Sequence, residues 1–283
     1  PRGAKIPTYP RLPRHILVGE AVFMLGYIVY GDGPKRPELG ERQLPGGTFV
    51  TLRMGLSAHP HGPLALARAR QGARRLREAG VRAAVFPVDF PYTALFIRQG
   101  VSPVDTLPLR RALAAPLTRR RLEGLALAPT QAVVAVSGER ASREVTETAK
   151  ALALSYRYVL LSVRTGGEDF ARSLRREYGI SLLLRPSPDQ LDRADALVLF
   201  DPRPDLALDN PILYTLYPGG EAGRGRLSLC LPASLGGQVE ANCDPEQLAA
   251  ALYAAGGVPL EAFLAETACS SSAPLTAIER SHL

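Results

Sequence analysis

Between positions 132 and 202, four short apolar runs alternate with two helix-length amphipathic segments, and this alternation constrains the fold more than any other feature of the chain. Residues 132–136, Ala-Val-Val-Ala-Val, form a run short enough to be a strand buried on both faces. The segment after it sets Val145, Ala149, Leu152 and Tyr156 at helical spacing. Residues 158–163 read as a second strand, and a helix from about Gly167 repeats the pattern with Phe170, Leu174 and Tyr178 before stopping at Gly179. Residues 180–184 and 196–200 complete the series as third and fourth strands. Strands alternating with helices of this length require crossover connections, so an open, mostly parallel α/β sheet is expected, with its functional edge at the strand ends.

The stretch before it is different in character. Residues 1–129 carry 20 Lys+Arg against 8 Asp+Glu, whereas residues 130–283 carry 14 against 19. Opposite fields of this kind suggest two separately folding parts. The expected organisation is a smaller α+β or α/β domain over 1–129, the parallel-sheet domain over 130–269, and a mobile tail over 270–283. Within the first part, residues 1–13 form a Pro-rich basic arm, and 16–30 and 48–55 read as strands on either side of a long hairpin loop. A helix runs from Pro63 through Ala79, with Ala65, Ala69, Ala73 and Leu76 on one face and Gly80 as its stop. A strand over 81–88 and a helix ending at Gly100 follow, then a helix over 104–117 and a connector holding Arg119, Arg120 and Arg121. After 202 the alternation loosens, with strands over 212–217 and 227–231 and helices over 245–255 and 259–267.

Composition narrows the chemistry. Cys230, Cys243 and Cys269 are odd in number and widely spaced, which suits neither a disulfide framework nor a zinc knuckle. His59 and His61 flank Pro60 without a third ligand nearby, so no metal site is expected. The apolar run 16–30 is broken by Gly19, Glu20 and Gly26, too short for a bilayer span, and no signal-peptide pattern is recognised, so a cytoplasmic protein is expected. The Arg119 to Arg121 triplet could meet phosphate or nucleic acid, but it lacks interleaved aromatics, and such a triplet is more often a solvated face.

Candidate site residues gather where strands feed helices. After the first strand come Ser137, Gly138, Glu139, Arg140, Ala141 and Ser142; after the second come Arg164, Thr165, Gly166 and Gly167. Asp89 and Tyr92 follow the strand over 81–88, and Asp201 follows the fourth strand of the parallel series. Helix N-terminal amides and arginines at such ends suit an anionic ligand. Gly138 is the sole glycine between Val136 and Tyr156, so the glycine-rich cradle that lets backbone approach a diphosphate is missing. Asp89 reads more readily as a helix cap, and Asp201 as the start of an Asp-Pro turn.

Residues 132–202, with a Gly/Ser loop after the first strand and Arg164-Thr165 after the second, resemble the NADP-binding Rossmann domain of the shikimate dehydrogenase and glutamyl-tRNA reductase type. The resemblance implies NADP as cofactor, with Arg164 meeting the 2′-phosphate. Three functional readings fit these residues. The first is binding of NADP or another small phosphorylated ligand through Ser137, Gly138, Arg140, Ser142, Arg164, Thr165, Gly166 and Gly167. The second is a vacant nucleotide site in a non-catalytic interaction or structural module. The third is an enzyme with Asp89, Tyr92 and Asp201 in a carboxylate-lined interdomain cleft.

Overall fold

The computed structural model describes residues 24–57, 59–220, 229, 231–232, 235 and 239–266. The N-terminal arm, the start of the run over 16–30, most of the strand expected over 227–231, Cys230, Cys269 and the tail from 270 lie outside the described residues. Those described fall into two compact units. One comprises residues up to Ala84 with Pro91–Ser102, and the other comprises Val85–Phe90 with residues from Pro103 onward.

The first unit carries a five-stranded sheet of order β2-β3-β1-β4-β5, built from β1 (Met24–Gly31), β2 (Glu38–Leu44), β3 (Gly47–Gly55), β4 (Val81–Val85) and β5 (Ser102–Pro103). The hairpin differs from the one expected. β1 and β3 run parallel, with Gly26 opposite Val50, and the intervening Gly/Pro-rich stretch contains β2, which is the strand that hairpins with β3. The polar β2 pattern hid it, because an edge strand with both faces in water shows no apolar alternation. Helix α1 (Pro63–Glu78) buries Ala65, Ala69, Ala73 and Leu76 as its spacing requires, and α2 (Thr93–Arg98) follows β4.

The second unit opens with α3 (Leu107–Gly124). The arginine triplet expected in a connector lies inside this helix, because Leu113, Leu117 and Leu122 keep the buried stripe running past Pro116 and through the basic residues. Helix α3 packs on elements of the second sheet, so the compact units divide near 102–103 and not at 129–130. The segment 85–90 belongs with it: the Val88 amide donates to the Asn242 carbonyl at 2.8 Å, and the Phe86 amide to Gln247 Oε1 at 2.9 Å.

The second sheet has the order β10-β9-β6-β7-β8. Its strands are β6 (Val133–Arg140), β7 (Tyr158–Thr165), β8 (Leu183–Leu184), β9 (Ala196–Leu199) and β10 (Ile212–Thr215), and every neighbouring pair is parallel. Counted from β6, the spatial order is 3-2-1-4-5, that of a doubly wound open sheet, and the fold is α/β and Rossmann-like. Helix α4 (Arg143–Ala153) joins β6 to β7, α5 (Gly167–Tyr178) joins β7 to β8, and the short α6 (Pro188–Asp192) precedes β9. Helices α7 (Pro245–Ala254) and α8 (Leu260–Glu266) follow β10. Tyr178, expected on the buried face of α5, is exposed and lies under the Lys150 ammonium, 4.2 Å from the ring centre.

Alternation along β6 separates the two faces of the sheet. Ala135 belongs to a core with Leu160, Leu191, Leu197, Leu199 and Leu206, whereas Gly138, of opposite parity, faces Val145 of α4. The Leu191 face is closed by α6 and by the loop after β9, and Asn210 holds the two together. Its buried amide donates to the carbonyls of Leu191, Asp192 and Ala194 at 2.8, 3.2 and 2.9 Å. Replacing Asn210 with Ala leaves those acceptors in a buried place without their donor, and is expected to lower stability by about 2 kcal/mol. Urea unfolding of the full chain checks this; an unchanged midpoint would show that the α6 closure does not depend on Asn210.

Candidate functional site at the carboxyl edge of the second sheet

Strand order reverses between β6 and β9, and in open parallel sheets the crevice at such a reversal, beyond the carboxyl ends of the strands, is where ligands bind. Here it is a cleft of about 450 Å³ lined by Arg111, Glu139, Arg140, Ser142, Glu144, Arg164, Thr165, Phe200 and Asp201. Four of the residues expected from sequence as ligand contacts, Arg140, Ser142, Arg164 and Thr165, therefore share one cleft, together with Asp201 from the carboxylate reading.

The backbone under this cleft is not an open cradle. The stretch expected as a loop continues as strand, with Gly138 opposite Val163 and Arg140 opposite Thr165, and the Ala141 amide donates to the Thr165 carbonyl at 2.9 Å. Asp201 Oδ2 accepts the Glu139 amide at 2.7 Å. A side chain on Gly138 would meet Val145 Cγ2 at 3.2 Å and Asp201 Oδ2 at 3.4 Å, so this glycine lets α4 and Asp201 come close to β6. Ser142 is the N-cap of α4; its hydroxyl accepts the Val145 amide at 3.4 Å and donates to Glu144 Oε2 at 3.1 Å. The helix start is thus already served by its own serine and by a first-turn carboxylate.

What the cleft offers a ligand is side-chain charge. Arg111 reaches in from α3, anchored by its Nε donating to the Leu216 carbonyl at 3.0 Å, with its guanidinium over Phe200. It stands 3.7 Å from Glu144, and Arg164 stands 3.7 Å from Glu139. Both contacts are too long for good hydrogen bonds, and the Arg164–Glu139 pair is exposed, so each is weak and open to exchange. Arg140 makes no ion pair or hydrogen bond through its side chain among the described residues.

Ser137 takes no part in this surface. It is fully buried, and its Oγ accepts from Arg203 Nη1 at 3.0 Å; the same nitrogen donates to Ser162 Oγ at 2.9 Å. Arg203 also grips Asp205 with two bonds, 2.8 and 2.7 Å long. The guanidinium beside it lowers the Asp205 carboxyl from its ordinary 3.8 to about 2. Gly166 and Gly167 lie beyond the cleft, in a neighbouring pocket of about 300 Å³ that shares Arg164 and Thr165 and includes Glu168 and Arg185. Gly166 is required there for its φ of +79° at the start of α5.

Asp89 is exposed in a tight turn with φ of +57°, and the N-cap of α2 is Tyr92, not Asp89. Asp89 is absent from the lining of the cleft that holds Asp201. Tyr92 is buried edge-on against Tyr30, ring centres 5.8 Å apart, and burial raises its hydroxyl to about 12. Sequence reasoning missed Arg111, Glu144 and Phe200 as cleft residues and Arg203 as the group that takes Ser137. Arg111 was assigned to the other side of the domain boundary, and Arg203 acts through contacts 41 and 66 residues away in sequence.

No protein-family model matches the chain, and no curated protein matches it. Among solved structures it is similar to L-tryptophan dehydrogenase from Nostoc punctiforme, at 13% identity and a TM-score of 0.28 over 54% of this chain and 44% of that one. It is also similar to D-lactate dehydrogenase with NAD+ from Lactobacillus jensenii, at 12% identity and a TM-score of 0.29 over 55% and 56% of the two chains. A shikimate 5-dehydrogenase-like protein matches at 12% identity and a TM-score of 0.22 over 65% and 68%. The chain spans about half the length of the first two, 44% and 56%. The class therefore rests on the strand order itself: a Rossmann-like α/β protein with a charged cleft at the carboxyl edge of its parallel sheet.

The Arg203–Asp205 pair has a defined pH signature. Asp205 binds its proton less readily folded than unfolded, so its contribution to stability is complete above its unfolded value and disappears as pH falls through about 2. The stability difference between the wild type and Asp205→Asn is expected to be constant above about pH 5 and to shrink from pH 4 toward pH 2. Urea unfolding across that range checks it; a pH-independent difference would remove Asp205 as the titrating group.

Proposed function

We propose that the second unit binds a small phosphorylated ligand at the β6–β9 edge, and that it does so with arginine side chains in place of a glycine-rich backbone cradle. The observation that carries this reading is the convergence of Arg111, Arg140 and Arg164 on one cleft at the reversal of strand order. Arginine's planar fork pairs with phosphate oxygens from the side and does not need backbone to approach the ligand closely. NADP(H) is the dinucleotide that suits this edge. Arg164 lies at the carboxyl end of β7, the second strand in chain order, where a cation favours a 2′-phosphate over a free ribose hydroxyl.

A second reading, a non-catalytic module with a vacated nucleotide site, has its own support. The Glu139 amide is taken by Asp201, the α4 N-terminus is self-capped, and Glu139, Glu144 and Asp201 put three carboxylates in the same cleft. The two readings part on binding. Under the first, titration calorimetry on the full chain shows NADPH binding more tightly than NADH. Arg164→Ala is then expected to remove that preference, and Arg140→Ala to weaken both nucleotides by about tenfold, the worth of one charge-assisted hydrogen bond. No heat with either nucleotide or with simple phosphate esters at millimolar concentration would leave the vacated site as the answer.

A further inference from the structure

The charges in the cleft are not all spent on one another. Arg164 faces Glu139 and Arg111 faces Glu144, each at 3.7 Å, which accounts for two cations and two carboxylates. The remaining cation is Arg140, whose side chain has no partner among the described residues. The remaining carboxylate is Asp201. Its Oδ2 is held by the Glu139 amide at 2.7 Å, and its Oδ1 has no hydrogen-bond partner among the described residues. One unmatched cation and one unmatched carboxylate oxygen therefore line the same cleft, beside the Phe200 ring. The six ionised side chains sum to zero charge, so a ligand of several negative charges would meet as many carboxylates as arginines.

We infer that the ligand is a zwitterion: a phosphate monoester that also carries an ammonium group, its phosphate on Arg140 and its ammonium on Asp201 Oδ1. This deepens the phosphorylated-ligand reading above and rests on it. Arg140 supplies the charge-assisted bonds that the blocked Glu139 amide does not. Asp201 is well placed for the second role, because the Glu139 amide fixes its carboxylate and leaves one oxygen for the ligand.

The test compares O-phosphoethanolamine with ethyl phosphate, which has the phosphate and a similar length but no ammonium, by titration calorimetry on the full chain at neutral pH. The expected result is phosphoethanolamine binding at least about tenfold more tightly. Asp201→Asn, which keeps an oxygen for the Glu139 amide, is expected to reduce that preference to about twofold or less. Equal affinities in the wild-type protein, a comparison that needs no variant, would overturn the zwitterion inference and leave the phosphate reading standing. A preference that persists in Asp201→Asn would overturn the role of Asp201. Binding of neither ester would overturn this inference, and the function proposed above falls with it only if NADPH and NADH also give no heat.

Discussion

Strand β6 is the constraint on which the second unit depends. It pairs in parallel with β7 on one side and β9 on the other, and its Val134, Ala135, Val136 and Ser137 are all fully buried. A strand hydrogen-bonded along both edges and apolar on both faces cannot exist without a cover on each side, so its sequence demands the helices around it. One cover is α4, seated on the Gly138 face through Val145. The other is α6 together with the loop from Asp201 to Asn210. That loop is secured at both ends: Asn210 holds the carbonyls around the end of α6, and Arg203 reaches back to Ser137 and Ser162. The hydroxyls of Ser137 and Ser162 thereby have a partner within the protein, which a buried polar group requires.

The same arrangement shapes the cleft. Because Arg203 and its loop close one face at the strand ends, what remains accessible lies on the α4 side, between Arg140, Asp201 and the helix start. Asp201 connects the two features. It opens the loop that covers one face, and its carboxylate fixes the Glu139 amide at the edge of the other. With the Glu139 amide taken by Asp201, the groups that line this edge are charged side chains of both signs.

Much of the second unit could be read from sequence because its signals are local. The stripe of Val145, Ala149 and Leu152 foretold α4, and the short apolar runs foretold β6, β7 and β9. Features set by long-range partners could not be read in this way. The strand character of residues 137–140 comes from pairing with β7, not from any apolar alternation in Ser-Gly-Glu-Arg. The five-residue α6 is too short to show a period, although its Ser187 capping box was there to be found. Charge asymmetry separated α3 from the sheet it packs on, because arginine content reports solvent-facing chemistry whereas Leu113, Leu117 and Leu122 decide where the helix docks. For the site, Arg140, Ser142, Arg164 and Thr165 were legible as residues at strand ends. The burial of Ser137 was not, since it follows from an arginine on another connection.

The claim at the centre of this account is that phosphate is held by side chains at the carboxyl edge of β6 and β7. Hydrogen–deuterium exchange of the full chain, with and without saturating O-phosphoethanolamine, tests it directly by locating the ligand. The account predicts slower exchange confined to residues 139–146 and 164–168, with the first unit unchanged. Protection in the first unit, or none at the edge of the second sheet while the ligand is bound, would contradict it.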